Sequence, residues 1–151
     1  MNTTSLKDKT AIVTGGARGI GRAIVKALAE SGADVLVGDL QVEEARTTAA
    51  EIARETERRI VAVRADVAQL DDANKMRDAA LRDFGKIDIL VNNAGWDRLT
   101  PFLKSSPDVW EKIIAINYRG VIHTCYAVLP HMVERKQGSI INISSDSARV
   151  G

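Results

Sequence analysis

The sequence predicts a doubly wound α/β domain, a parallel sheet with helices on both faces. Three observations predict it. Short apolar runs of strand length alternate with helical patterns along all 151 residues, which demands crossover connections and a parallel sheet. The runs are nearly uninterrupted Val, Ile and Leu, as in strands buried on both faces. The first of them ends on glycines that open a helix. At 16.4 kDa the chain has the size of one domain, with no internal repeat or linker-like composition shift.

The elements follow in order. Thr10–Thr14 is a first strand stopped by Gly15 and Gly16. Ile20–Ser31 carries Ile20, Ala23, Ile24, Ala27 and Leu28 at helical spacing and closes on Gly32. Asp34–Gly38 is the second strand. Val42–Arg59 is a helix with a charged face, where Glu55 and Arg59 stand at i,i+4. Ile60–Ala65 is the third strand, Gln69–Phe84 a helix ended by Gly85, and Ile87–Val91 the fourth strand. Ser106–Lys136 is helical in two pieces, broken near Asn117–Gly120, with a further kink or break expected at Pro130. Ser139–Ile143 is the fifth strand.

Composition excludes several classes. Hydrophobic residues are 45% and charged residues 27%, unlike a disordered or membrane-spanning chain. A net charge of +1 offers nothing to nucleic acid or an anionic membrane. Cys125 is the only cysteine, so no internal disulfide forms, and no metal site is expected. Met1–Lys9 has no signal-peptide core, and no apolar run reaches spanning length. A cytoplasmic protein is the expectation.

The sharpest motif is Thr14-Gly15-Gly16-Ala17-Arg18-Gly19-Ile20-Gly21. Glycine serves where the backbone turns tightly or a diphosphate comes close, and the amides of the following helix start favour negative charge. With a strand before, a helix after and an acid following the second strand, this is the setting of a Rossmann-type dinucleotide site. No Gly-Lys-Ser/Thr ending is present, which excludes the ATPase phosphate loop. The acid is Asp39. Its carboxylate can accept from both adenosine ribose hydroxyls and would repel a 2′-phosphate, which favours NAD over NADP. Arg18 pulls the other way, but Leu40 supplies no second cation. Asp66-Val67, past the third strand, either meets the adenine or, for Asp66, caps the next helix.

At the fourth strand the sequence reads Asp88-Ile89-Leu90-Val91-Asn92-Asn93-Ala94-Gly95. Together with the glycine turn, this resembles the short-chain dehydrogenase/reductase family in its classical form, over the whole chain. The resemblance implies that Asn92-Asn93-Ala94-Gly95 steadies the central sheet and lines the cofactor's ribose. Ile114-Ala115-Ile116-Asn117 is similar to the family's helix with a catalytic Asn that helps hold a water in a proton relay. Asn is a poor mid-helix residue, and Asn117 could otherwise fill a local kink with its own side chain. Ile140-Ile141-Asn142-Ile143-Ser144-Ser145 resembles the strand that delivers the catalytic serine, and the role falls on Ser145. A hydroxyl there can hydrogen-bond a carbonyl oxygen as negative charge develops. Read without the resemblance, Ser144-Ser145-Asp146-Ser147 is a turn.

The family's Tyr-x-x-x-Lys motif lies a short way past that serine, and the chain stops at Gly151. Tyr118 and Tyr126 are followed four residues on by Ile122 and Pro130, not Lys. The expectation is therefore that residues 1–151 are the NAD(P)-binding, N-terminal part of a longer enzyme, truncated after the fifth strand. Alone they would be inactive and would expose an apolar sheet edge and helix face.

Loops Gly95–Phe102 and Ser145–Gly151 leave the carboxyl edge of the sheet, where ligands bind. Asn93–Asp97, Ala127–Pro130 and Ser145–Gly151 are similar to 2-hydroxycyclohexanecarbonyl-CoA dehydrogenases and, more broadly, to 3-oxoacyl-(acyl-carrier-protein) reductases. The resemblance implies a β-hydroxy or β-keto thioester as substrate. Arg98 or Arg149 could meet a carrier's phosphate, although a surface arginine is the plainer reading of each. Trp96 packs on the sheet or touches substrate. His123 and His131 lack the partners that metal or acid–base work needs, and Cys125 reads as packing. The segment Tyr118–Val133 is apolar around much of its circumference. It is a core helix or, as the resemblance implies, a subunit interface in a homotetramer.

Three functions compete at this level. The first is an NAD-dependent secondary-alcohol dehydrogenase using Ser145 and Asn117. The second is a non-catalytic dinucleotide-binding module, if the protein ends at Gly151. The third is a methyltransferase, disfavoured by Asn92–Gly95 and the glycine spacing.

Overall fold

A computed structural model describes residues 5–145; Asp146–Gly151, including Arg149, lie outside the described residues. Five strands, β1 (Thr10–Thr14), β2 (Asp34–Asp39), β3 (Ile60–Arg64), β4 (Ile89–Asn92) and β5 (Ser139–Asn142), form one sheet in the order β3-β2-β1-β4-β5. All four pairings are parallel. The order reverses direction between β1 and β4, which opens a crevice at their carboxyl ends. The helices are α1 (Gly19–Glu30), α2 (Val42–Thr56), α3 (Leu70–Phe84), α4 (Pro107–Ile113) and α5 (Gly120–Arg135).

The two-residue period of the strands divides the core into two layers. Ile12, Leu36 and Leu90 face one side and pack with Met76 and Ala80 of α3 and Val128 and Met132 of α5. Ala11, Val13, Val35, Val37, Ile89 and Val91 face the other, against Val25 and Ala29 of α1 and Ala45 and Ile52 of α2. The three central strands are buried from end to end, apart from the terminal Asp39, whereas β3 and β5 are the partly exposed edges. On the β5 side Ile141 and Ile143 are exposed. So is a helical stripe of Ile114, Tyr118, Ile122, Tyr126, Leu129 and Val133, the apolar face expected from the sequence. No helix among the described residues is long and apolar enough to cross a membrane, and no metal-ligating cluster occurs among them.

The fold corrects three expectations. The second helix ends at Thr56 rather than Arg59, because Glu57 takes a left-handed C-cap conformation at φ 57°. Arg58 and Arg59 then turn to the buried Asp34 carboxylate, each with a 2.6 Å ion pair. The Glu55–Arg59 pairing accordingly does not form, and Glu55 binds Lys26 of α1 at 2.7 Å. The interruption near Asn117 is not a break: Ile114–Arg119 is a π-helical segment continuous with α4 and α5. Nor does Pro130 break α5, which runs through it. The proline lies on the exposed side, where solvent can replace a lost backbone bond.

Three carboxylates anchor the ends of the sheet and α3. Burial raises Asp34 and Asp88, but hydrogen bonds from Arg59 and Arg58, and from Arg135 and the Thr10 amide, outweigh it and hold both below the ordinary carboxylate range. Lys75 and the Asp66 amide lower Asp72 likewise. Groups lowered in the folded state stabilise it above their unfolded pKa, about 4, and that contribution is lost as pH falls through the folded values. The urea midpoint is therefore expected to hold from pH 7 to about 5 and to drop steeply below about 4, as a pH series of unfolding curves would record.

Candidate functional site

The turn after β1 is built to stay open. Gly15 donates its amide to Gly38 O at 2.7 Å. The Ala17 amide reaches Asp39 Oδ2 at 3.0 Å, and Thr48 of α2 donates to Ala17 O at 2.6 Å. The Asn93 side chain donates to the carbonyls of Thr14 and Gly15, both at 3.0 Å. Thr14 Oγ1 accepts the amides of Asn93 and Ala94, tying the end of β1 to the segment after β4. Every one of these contacts fixes the loop before any ligand arrives.

Beside the loop lies a cleft of about 530 Å³. It gathers Gly15, Arg18, Ile20, Gly21, Asp39, Leu40, Asp66, Val67, Asn93, Ala94 and Gly95, the residues that the sequence singles out for a cofactor, with Gly19 as the exception. Gly19 has φ 55°, and a side chain there would meet nothing within 4 Å. Gly15 and Gly21, by contrast, have no room for a Cβ. The start of α1 has no side-chain cap and no acid in its first turn, which leaves its amides to an anion. These features fit a diphosphate. Asp39 Oδ1 accepts the Gln41 amide at 2.9 Å. With one bond on each oxygen, the carboxylate keeps acceptor capacity for further donors.

Asp66 has a local structural contact and also faces the cleft. Its Oδ1 accepts the Ala68 amide at 2.9 Å, so it caps the turn leading to α3, although the cap of the helix proper is Gln69. It also lines the cleft. Asn92 is buried and internal: its side chain accepts from Thr124 at 2.6 Å and donates to Asn142 at 2.9 Å, linking α5, β4 and β5. It donates more weakly to half-buried Cys125.

Asn117 sits in the π-helical segment, a device that inserts an extra residue and re-aims side chains. Its side chain accepts the Trp96 amide at 2.8 Å and donates to the Trp96 carbonyl at 2.9 Å. It therefore holds the loop after β4 rather than filling a kink in its own helix, and it does not line the cleft. Trp96 does line it, with the Lys112 ammonium 4.1 Å from its ring centroid. Ser145 follows β5 and is exposed. His123 meets Val67 O at 3.0 Å, and His131 accepts the Ile87 amide at 3.2 Å; both are structural contacts.

Sequence reasoning missed Gly38, Gln41, Ala65, Lys112 and Ile116 as cleft residues. Gly38 had a legible signal, since it immediately precedes Asp39 on β2. Lys112 and Ile116 are one turn apart, but only Ile116 lies in the π segment, which the sequence marks only through Asn117.

Comparisons with known proteins agree with this geometry. The family profile described as short chain dehydrogenase matches residues 9–151. The chain is 41% identical over 150 residues to L-rhamnose 1-dehydrogenase (NAD(P)(+)) of Azotobacter vinelandii, covering 97% of this chain and 59% of that protein. It is 36% identical over 140 residues to a 3-oxoacyl-(acyl-carrier-protein) reductase of Chlamydia trachomatis, covering 93% and 56%. A crystal structure of a Sinorhizobium meliloti protein, provisionally described as a short-chain alcohol dehydrogenase, superposes with a TM-score of 0.93 at 36% identity. That match covers 99% of this chain and 59% of the other. The chain thus spans between half and two thirds of the length of these relatives. A matched profile over nearly every residue, on a sheet and cleft of the expected form, means that the chain belongs to the short-chain dehydrogenase family.

Proposed function

We propose that this chain is the cofactor-binding part of an oxidoreductase that transfers a hydride between NAD(H) and a secondary alcohol or ketone. The observation that carries the reading is the cleft at the sheet's switch point, with glycines at one wall and Asp39 at the end of β2. The dinucleotide supplies or accepts the hydride when bound. The amides at the start of α1, with Arg18, bind its diphosphate, while Asp39 accepts from the ribose hydroxyls and Asp66-Val67 flank the adenine. Asn93, Ala94 and Gly95 line the cofactor's ribose. Ser145 donates to the substrate oxygen, and Asn117 holds Trp96 and the loop that borders the reacting centre.

The preferred substrate is a β-hydroxyacyl or β-ketoacyl thioester such as 2-hydroxycyclohexanecarbonyl-CoA. The motif resemblance and the similarity to the chlamydial reductase support it. The exposed stripe from Ile114 to Val133 supports a homotetramer, and the cytoplasm, with its nicotinamide pool, is the proposed compartment.

The test is reduction of acetoacetyl-CoA by the intact protein with NADH, followed at 340 nm. Ser145→Ala is expected to lower kcat about a hundredfold while NADH still binds. Turnover unaffected by that change would remove Ser145 from the chemistry. Asp39→Ala is expected to shift the ratio of NADPH to NADH affinity about tenfold toward NADPH, through lost ribose acceptors and relieved repulsion. Equal losses for the two cofactors would refute the ribose assignment.

A further inference from the structure

The cleft carries two cations on different walls. Arg18 stands on the glycine loop, beside the uncapped start of α1. Lys112 stands on α4, next to Trp96 and Ile116. Asp39, the last residue of β2, and Asp66, which follows β3, are the acids of the cleft, on strands across β1 from β4. Among the described residues Lys112 forms no salt bridge; its ammonium rests 4.1 Å from the Trp96 ring centroid.

That contact differs from an ion pair in what it leaves over. A cation on an aromatic face is drawn by the ring quadrupole, and its N–H groups are not consumed by an acceptor. The Trp96 backbone beneath the ring is held, since Asn117 bonds both its amide and its carbonyl. Lys112 is thus an exposed ammonium on the cleft wall, over Trp96 of the segment after β4, with its donors available.

We infer that Lys112 is a specificity-determining residue that binds an anionic group, phosphate or carboxylate, carried by the substrate away from its reacting carbon. The inference rests on the oxidoreductase reading above and narrows its substrate class to molecules bearing such a group, as thioesters of coenzyme A or a phosphopantetheine carrier do. Binding at a remote charge is how a non-reacting part of a substrate contributes to kcat/KM. The cofactor's own phosphates are the other source of the same chemistry. The position favours the substrate, because the binding mode proposed above gives the diphosphate to the start of α1, on another wall of the cleft from Lys112.

The experiment compares acetoacetyl-CoA with ethyl acetoacetate in the intact protein, two β-keto probes of which only the first is anionic. Lys112→Met keeps an apolar stem against Trp96, and Lys112→Arg keeps the charge. The ratio of kcat/KM for acetoacetyl-CoA over ethyl acetoacetate is expected to fall about tenfold in Lys112→Met, through KM, and to recover in Lys112→Arg. An unchanged ratio overturns the inference. So does an unchanged ratio with a tenfold loss of NADH affinity, which would give the anion to the cofactor. If the wild-type protein reduces neither ester, the thioester reading fails, and the subsite is then tested by binding. Coenzyme A titrated into the NADH-loaded protein is expected to bind about tenfold more weakly to Lys112→Met than to wild type or Lys112→Arg. Equal binding, or no binding to the wild type, overturns the inference.

Discussion

Gly21→Ala is expected to destabilise the fold by about 4 kcal/mol or more, whereas Gly19→Ala, two residues earlier, should leave it folded. A Cβ on Gly21 would stand 2.0 Å from Gly15 O and 2.6 Å from Asn93 Nδ2. Neither atom can yield cheaply: Gly15 O accepts the Asn93 amide, and Asn93 holds the end of β1. The start of α1 would have to move off the sheet and take those bonds with it. Gly19 has open space where its side chain would be, so alanine there meets only the cost of a left-handed backbone, about 1 kcal/mol. Relief of that strain would turn the first amides of α1, and NADH affinity should fall about tenfold. Urea unfolding and NADH titration of both variants check the contrast. A Gly21→Ala protein as stable as the wild type would mean that the loop is not held as described.

Asp88→Ala is expected to cost about 3 kcal/mol without changing NADH affinity. The carboxylate is 3% exposed and lies at the amino end of β4, opposite the cleft. It accepts the Thr10 amide at 3.0 Å and Arg135 at 2.8 Å, with Lys86 at 3.5 Å. Its removal strands a buried amide and a largely buried guanidinium, and such unpaired groups, more than the lost attraction, carry the cost. Arg135 also donates to Ile87 O, so α5 loses part of its hold on the lead-in to β4. Asp88→Asn keeps an acceptor for Thr10 and should lose less. A stability change below about 1 kcal/mol in Asp88→Ala would show that the ion pair is replaced by solvent.

The central layers were legible because alternation within each strand carries them: Ile12 against Ala11 and Val13, Leu36 against Val35 and Val37. The cofactor cleft was legible because glycine and acid stand at fixed distances along the chain around one strand–helix unit. What the sequence concealed depends on contacts between distant segments. Arg58 and Arg59 read as a continuing helix, and only the buried Asp34 draws them away. Asn117 marks an irregularity, but its kind follows from Trp96, 21 residues earlier. Lys112 reads as one surface lysine among others until the loop after β4 places the Trp96 ring under its ammonium at the cleft.

The most direct measurement is a titration of the intact protein with NADH and with NADPH, followed by nicotinamide fluorescence. One NADH is expected to bind per chain, about tenfold more tightly than NADPH, because Asp39 accepts from the ribose and repels a 2′-phosphate. Tighter binding of NADPH would contradict the role given to Asp39. No binding of either nucleotide would contradict the cleft itself.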